Sequence, residues 1–381
     1  MTGPSVFAEM SALAAQHGAV NLGQGFPDFP GPAFVKAAAS QAISADHNQY
    51  ARMAGLPALV SAIADGASRH HGRLIDPLAE VTVFSGATEA LFCSVLALCD
   101  PGDEVVLLEP FYDSYLAAVR LAGAIPRIVT LHAEGGFRFD PAELRAAFGP
   151  RTRAILVNTP HNPTGRVLDE TELSMIAEEV RRTGAYVIAD EVYEHIVFEG
   201  EHRSIATWPG LAGRTATISS SGKTFSLTGW KVGWAVASPA VSTALRGVHQ
   251  FVTFATATPL QHAIAAALSA PLAYYAELVA DYRARRDRLA ETLAAVGLRP
   301  FPAEGTYFLL GDARGLGWDD DVAFCRFLVE HARVAAIPLS AFYEQGHRDA
   351  GLVRFAFCKR DETLAEADRR LRGHALTPPI D

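Results

Sequence analysis

The stretch Ala154-Ile155-Leu156-Val157-Asn158-Thr159-Pro160-His161-Asn162-Pro163-Thr164-Gly165 is a short apolar run that ends abruptly in a polar, turn-forming cluster. The same pattern recurs on both sides of it. Val105-Val106-Leu107-Leu108 runs into Glu109-Pro110-Phe111-Tyr112, Tyr186-Val187-Ile188-Ala189 into Asp190-Glu191, and Thr215-Ala216-Thr217-Ile218 into the loop from Ser219 to Lys223. Apolar runs without a polar face read as strands covered on both sides, and stretches of helical character such as residues 170–182 alternate with them. This predicts an α/β fold with a mostly parallel sheet flanked by helices. In such a sheet ligands lie beyond the carboxyl ends of the strands, so the polar clusters are expected to converge on one crevice.

After about residue 270 the pattern changes. Residues 274–295 read as a long, arginine-rich amphipathic helix, 306–310 and 352–358 as strands, and 321–331 as a helix entered through an acidic run. The expected organisation is an N-terminal segment, 1–30, packing with a small domain; a large cofactor-binding domain, 31–270; and a small α+β domain, 271–381. The long apolar stretch 260–280 is broken by His262, Pro271 and Glu277, and reads as helix, break, helix rather than a membrane span.

The chain has 381 residues, 49% apolar and 20% charged, with a net charge of -9. That balance suits a soluble globular protein and argues against a nucleic-acid partner, whose footprint would be basic. No basic amphipathic run suggests a membrane surface. Cys93, Cys99, Cys325 and Cys358 show no paired spacing, so no metal site and no disulfide framework is expected, but buried thiols in a reducing, cytoplasmic compartment. The first ten residues lack the basic and apolar regions of a signal peptide.

Lysine is scarce: only Lys36, Lys223, Lys231 and Lys359 occur among 33 basic residues. A chain that uses arginine for surface charge has kept an amine where arginine cannot replace it, because a desolvated lysine can lose its proton and attack a carbonyl. Lys223 and Lys231 sit in one segment rich in Gly, Ser and Trp, which suits a tight loop beside a buried group better than an open surface. Asp190 ends an apolar run. It reads either as a helix cap or as the partner of a cation such as a protonated pyridine nitrogen. The segment from Ser85 to Leu91 is a small-residue turn opening an apolar helix, which reads as an anion site or as an ordinary helix start. No nucleotide-binding glycine fingerprint is present. Taken together, Lys223, Asp190 and Asn162 come from three strand ends and offer a Schiff-base amine, a pyridinium partner and a donor to a ring phenolate. That is the set pyridoxal phosphate requires.

The motif series makes the resemblance specific. N-L-G-Q-G-F-P-D-F occurs at 21–29, N-Q-Y at 48–50, G-A-T-E-A at 86–90 and E-P-F-Y-D-S-Y at 109–115. N-T-P-H-N-P-T-G follows at 158–165, D-E-V-Y at 190–193, S-S-G-K-T-F at 220–225 and V-R-F-A-F-C-K at 353–359. Over nearly its whole length the chain resembles fold-type I pyridoxal-phosphate (PLP) aminotransferases of class I. Within them it looks like the methionine and glutamine/kynurenine transaminases and the actinobacterial N-succinyldiaminopimelate aminotransferases.

That resemblance implies roles. Lys223 and Asp190 are the catalytic pair: the Schiff-base lysine, which is also the proton-shuttling base, and the pyridinium partner. Asn162 and Tyr193 are donors to the ring oxygen, and Tyr112 is the aromatic stacked on the ring. Ala87, Thr88, Ser220 and Lys231 form the phosphate cup, with Tyr50 arriving from the other subunit of a homodimer. At position 231 many relatives carry Arg, and Lys keeps the charge without the fork. Arg354 clamps the substrate α-carboxylate, and its strand alternation points it away from Val353, Phe355 and Phe357.

Gly25, Phe26, Asn162 and Phe254 complete the expected substrate pocket, whose aromatic lining favours a methionine, aromatic or glutamine-like donor paired with a 2-oxo acid acceptor. Ala255 stands where some kynurenine-type relatives carry His. The alternatives are an N-succinyldiaminopimelate aminotransferase of lysine biosynthesis or a cysteine-conjugate C–S β-lyase on the same fold. Glu89 reads as a helix-dipole partner.

Overall fold

A computed structural model describes residues 6–345 and 350–378. The outermost residues of the N-terminal and C-terminal regions expected from sequence lie outside that range. Thirteen strands occur in it. They are β1 (Val20–Asn21), β2 (Val81–Phe84), β3 (Glu104–Glu109), β4 (Ile125–Thr130), β5 (Thr152–Asn158), β6 (Tyr186–Asp190), β7 (Thr215–Ser220), β8 (Gly233–Ala237), β9 (Arg299–Pro300), β10 (Phe308–Asp312), β11 (Val334–Ala335), β12 (Ile337–Pro338) and β13 (Leu352–Ala356).

Seven of them form one sheet in the order β2-β8-β7-β6-β5-β3-β4. The pairs from β7 through β6, β5 and β3 to β4 are parallel, and β8 runs antiparallel to both its neighbours. The runs β2, β3, β6, β7 and β8 are buried almost throughout, as expected of strands covered by helices on both faces. Apolar side chains from the two faces gather into separate clusters, one containing Val106, Ile155 and Val187, the other Val105, Leu156 and Ile188. Alternate residues of each strand thus serve opposite faces.

A second, four-stranded antiparallel sheet has the order β12-β13-β10-β9. β1 pairs in parallel with β11, tying the start of the chain to residues near 334. The helix Leu272–Ala295 packs on β9 and β10. The stretch expected as helix, break, helix is the pair Thr258–Leu268 and Leu272–Ala295, bent by 90°. No single described helix is long and apolar enough to cross a membrane.

Two boundaries differ from the sequence expectation. β10 begins at Phe308 rather than 306, because Thr306 adopts a left-handed φ of 66° and gives its N–H to Ile196. The helix expected over 321–331 is regular only from Asp321 to Phe327 and then widens into a π turn over Leu328–Ala332. Asp320 caps its start, accepting from the Val322 and Ala323 N–H groups at 2.9 Å. All four cysteines are buried and free.

Candidate active site

Register alone brings the first site residues together. Asn158 and Asp190 are paired at the carboxyl ends of β5 and β6. The Asn158 amide donates to the Asp190 carbonyl at 2.9 Å, and its oxygen accepts the Asn162 N–H at 2.8 Å. One asparagine therefore locks the turn that carries Asn162 onto the strand that carries Asp190. The far side of that turn is held by Arg166, whose guanidinium forks onto Glu172 with two bonds of 2.9 Å. Glu172 also completes a capping box with Asp169 at the start of the helix Glu170–Thr183.

Asp190 is buried, with its carboxylate accepting from the Tyr115 hydroxyl at 2.6 Å and from the Val192 N–H at 3.3 Å. Burial pushes its pKa above the usual carboxylate value, against the opposing pull of Tyr115, Val192 and Lys223. It caps no regular helix, and Lys223 is the cation that acts on it. Lys223 lies in the single helical turn Ser221–Thr224 that leaves β7. Its ammonium sits 5.5 Å from the Tyr193 ring and 5.6 Å from the Tyr307 ring. Burial pushes its pKa down to about 8, with nearby Arg354 and Lys231 adding to the effect while Cys358 and Asp190 oppose it.

Arg354 on β13 enters from the small sheet. It donates to Asn162 Oδ1 at 2.7 Å and to the Gly23 carbonyl at 3.0 Å. Its guanidinium carbon lies 3.9 Å from the Phe308 ring centre, 4.7 Å from Phe342 and 5.5 Å from Phe7. Its Nε is buried without a partner, and burial lowers its pKa to about 10. Among the described residues no carboxylate pairs with this buried guanidinium, an environment that suits a ligand carboxylate.

The opposite end of the cavity is the start of the helix Ala87–Leu98. Gly86 precedes it at φ 86°, and no side chain caps it, so its first N–H groups are available to an anion. Glycine is required twice here. A Cβ on Gly86 would stand 3.2 Å from Lys231 Nζ, and one on Gly233 would stand 2.6 Å from the Ala87 nitrogen. The Tyr112 ring meets Tyr115 edge-on at 5.8 Å, and both line the cavity with Thr88.

Asp190, Lys223, Asn162, Arg354, Tyr112 and the Gly86–Thr88 turn line one cavity of about 440 Å³, together with Lys231, Ser220 and Gly25. An uncapped helix start beside a lysine suits a phosphate, a buried carboxylate suits a ring cation, and a buried amine of lowered pKa suits an aldehyde. The residues present therefore fit pyridoxal phosphate.

A model of the class I and II aminotransferases matches residues 18–371. The chain belongs to that family. A probable N-succinyldiaminopimelate aminotransferase of Mycobacterium tuberculosis is 49% identical, covering 98% of this chain and 97% of the relative. The methionine aminotransferase of Escherichia coli K12 is 42% identical over 97% of this chain and 96% of its own. The solved structure of an M. tuberculosis N-succinyldiaminopimelate aminotransferase superposes with a TM-score of 0.94 at 49% identity, covering 97% of each chain. This aminotransferase is accordingly a PLP-dependent enzyme of fold type I that transfers an amino group between an amino acid and a 2-oxo acid.

Three expected residues of the aminotransferase lie outside the cavity of their own chain. Phe26 is 48% exposed and turns away, its ring 5.0 Å from the Lys359 ammonium, because Tyr307 and Lys359 pin the backbone on either side of it. It therefore does not line this pocket. Tyr50, 86% exposed, and Phe254, 43% exposed, stack edge-on at 5.5 Å on the outer surface.

Glu89 does more than complement a helix dipole. It is buried and accepts from Ser85, His249 and Thr253. Sequence reasoning also missed Tyr115, Asn158, Tyr307, Phe308 and Phe7. Tyr115 had a signal, lying in the same E-P-F-Y-D-S-Y motif as Tyr112, just inside the start of the helix Ser114–Leu121. Phe7 had none, because only the tertiary fold lays the N-terminal helix Val6–Gln16 against Arg354.

Proposed function

We propose that the enzyme takes its amine from L-amino acids with uncharged side chains, of the methionine, aromatic or glutamine type. The observation that carries this reading is the charge inventory of the cavity. Among the described residues its cations are Lys223, Lys231 and Arg354. The first two serve the cofactor and the third the α-carboxylate common to every substrate. None is left for a side-chain carboxylate, and Asp113 adds a further negative group to the lining. Desolvating an unpaired carboxylate costs several kcal/mol, on the order of 10³-fold in relative rate.

When bound, pyridoxal phosphate supplies an aldehyde for the substrate amine and a ring that draws off electrons released at the substrate Cα. Its phosphate would be held by the Ala87 and Thr88 N–H groups, the Thr88 and Ser220 hydroxyls and Lys231. Asp190 would keep the ring nitrogen protonated, Asn162 and Tyr193 would donate to the ring oxygen, and Tyr112 would cover one face. Lys223 Nζ takes the proton from the substrate Cα, a task its lowered pKa suits. Arg354 grips the α-carboxylate, giving its unpartnered Nε a mate.

We further infer a homodimer in which Tyr50 reaches the phosphate of the partner's site and Phe254 flanks the partner's substrate. The exposure of Tyr50, Phe251, Val252 and Phe254 supports it, since apolar side chains on one segment of surface mark an interface.

A second reading follows from the 49% identical relative named for N-succinyldiaminopimelate. It needs a cation from outside the described lining, such as one from the partner subunit. Measuring kcat/KM for methionine, phenylalanine, glutamine, aspartate and N-succinyldiaminopimelate, with pyruvate and 2-oxoglutarate as acceptors, decides between them. Preference for a neutral donor upholds the first reading; preference for the succinylated donor replaces it with the second. Pyruvate release from a cysteine conjugate without an acceptor would instead mark a β-lyase.

A further inference from the structure

Behind the phosphate-binding turn lies a buried charged cluster that the chemistry above does not use. His249, fully buried near the end of the helix Pro239–Val252, faces Glu89 Oε1 through Nδ1 at 2.7 Å. Its Nε2 faces the Met53 carbonyl at 3.1 Å. Thr253 donates to the same Glu89 oxygen at 2.6 Å. The other Glu89 oxygen accepts the Ser85 N–H, directly before Gly86 and the uncapped helix start. His249 thus bridges the Glu89 carboxylate on one side and the Met53 carbonyl on the other, with the Thr253 hydroxyl 3.4 Å from Nδ1.

The two elements that meet here have different destinations. Ser85 leads directly into Gly86, Ala87 and Thr88, which line the chain's own cavity. Met53 and the residues after His249 carry the outward aromatic pair. The Phe254 N–H bonds the His249 carbonyl at 3.1 Å, and Thr258 bonds the Gln49 carbonyl at 2.6 Å, so Tyr50 and Phe254 share one scaffold. Phe254 itself is held at a left-handed φ of 66°, a conformation that a bulky residue keeps only when its surroundings impose it.

We propose that Glu89, His249 and Thr253 are positioning residues that couple the two active sites of the dimer. They fix the phosphate-binding turn of one site to the Tyr50–Phe254 pair serving the other. The inference rests on the cross-subunit reading of Tyr50 given above. Each site then depends on two copies of the cluster: its own, through Ser85, and the partner's, through Met53 and Phe254.

The test uses hybrid dimers of the PLP-loaded enzyme. A subunit carrying Lys223→Ala has no working site but still presents its aromatic pair. Pairing it with an otherwise wild-type subunit leaves one working site per dimer. His249→Gln is then placed either on the working subunit or on the Lys223→Ala subunit. A second series uses Thr253→Val, which removes one bond and spares the Glu89–His249 contact. Light scattering verifies the dimer in every case.

With the change on the working subunit, weaker cofactor retention on dialysis is expected. With the change on the dead subunit, KM for the amino donor should rise about tenfold, the effect of losing one charge-assisted bond, while the working subunit's own turn is untouched. Unchanged constants in that second arrangement, for both substitutions, overturn the coupling. If the enzyme proves to be a fully active monomer, the cross-subunit reading itself fails, and light scattering reports that separately.

Discussion

Replacing Asp190 by asparagine separates charge from shape. The carboxylate is buried, receives the Tyr115 hydroxyl at 2.6 Å and the Val192 N–H at 3.3 Å, and has Lys223 as its nearby countercharge. Asparagine fills the same space: its oxygen can keep the Val192 bond, and its NH2 can donate to the Tyr115 oxygen. In the protein without cofactor the change relieves a buried anion of its desolvation and forfeits its attraction to Lys223, two effects that oppose each other. Stability is therefore expected to move by no more than about 1 kcal/mol.

In the working enzyme nothing offsets the loss. One preorganised electrostatic partner of the cofactor ring disappears, which costs about 2–3 kcal/mol of barrier, or roughly 30- to 150-fold in rate. Single-turnover reaction with the amino donor, followed by absorbance, reads the rate, and thermal unfolding of the cofactor-free protein reads the stability. A variant within a few-fold of wild type would reduce Asp190 to a support for Tyr115 and Val192. A variant whose cofactor-free form loses several kcal/mol would show that the carboxylate is structural, and would equally refute the reasoning.

Borohydride reduction of the loaded enzyme should fix the cofactor to Lys223 and to no other lysine, read by peptide mapping. In the cofactor-free protein Lys223 titrates near 8 when folded and near 10.5 when unfolded. Folding therefore opposes its protonation, a penalty of about 3 kcal/mol that is complete below pH 8 and fades as pH rises toward 10.5. The stability gap between wild type and a Lys223→Met variant should shrink across that window, and a gap that does not change with pH would contradict it. Arg354→Lys keeps the charge but loses the fork and the ring contacts, so KM for every amino donor should rise together, on the order of 10²-fold, without a change in donor ranking. Tyr115→Phe removes one donor from Asp190 and should slow the enzyme by about tenfold, roughly the worth of one hydrogen bond to a charge. An unchanged rate would show that Val192 and the cofactor suffice to hold the carboxylate.

The apolar runs ending at Asn158, Asp190 and Ser220 were enough to read a parallel sheet with its ligand crevice, because strand burial leaves a local signature of uninterrupted apolar residues. The scarcity of lysine drew attention to Lys223 and Lys231 together, because an amine kept where arginine would supply the charge suggests a task arginine cannot do. Both are properties of neighbouring residues or of composition, and so survive in one dimension. Which residues meet across the crevice is different. The Asn158 bond to Asp190 and the Arg354 bond to Asn162 follow from strand register and from the seating of one sheet over another. Tyr115 beneath Asp190 and Phe7 beside Arg354 depend on packing between elements 75 and more than 300 residues apart. Phe26 shows the same limit from the other side: its motif places it next to Gly25, but backbone bonds from Tyr307 and Lys359 turn its ring out of the pocket. Glu89 reads from sequence as a dipole partner, and only the fold brings His249 and Thr253 to it. Local chemistry and motif order marked the candidate residues; long-range packing set their partners, their burial and hence their pKa values, because desolvation depends on every neighbour and not on the adjacent residues alone.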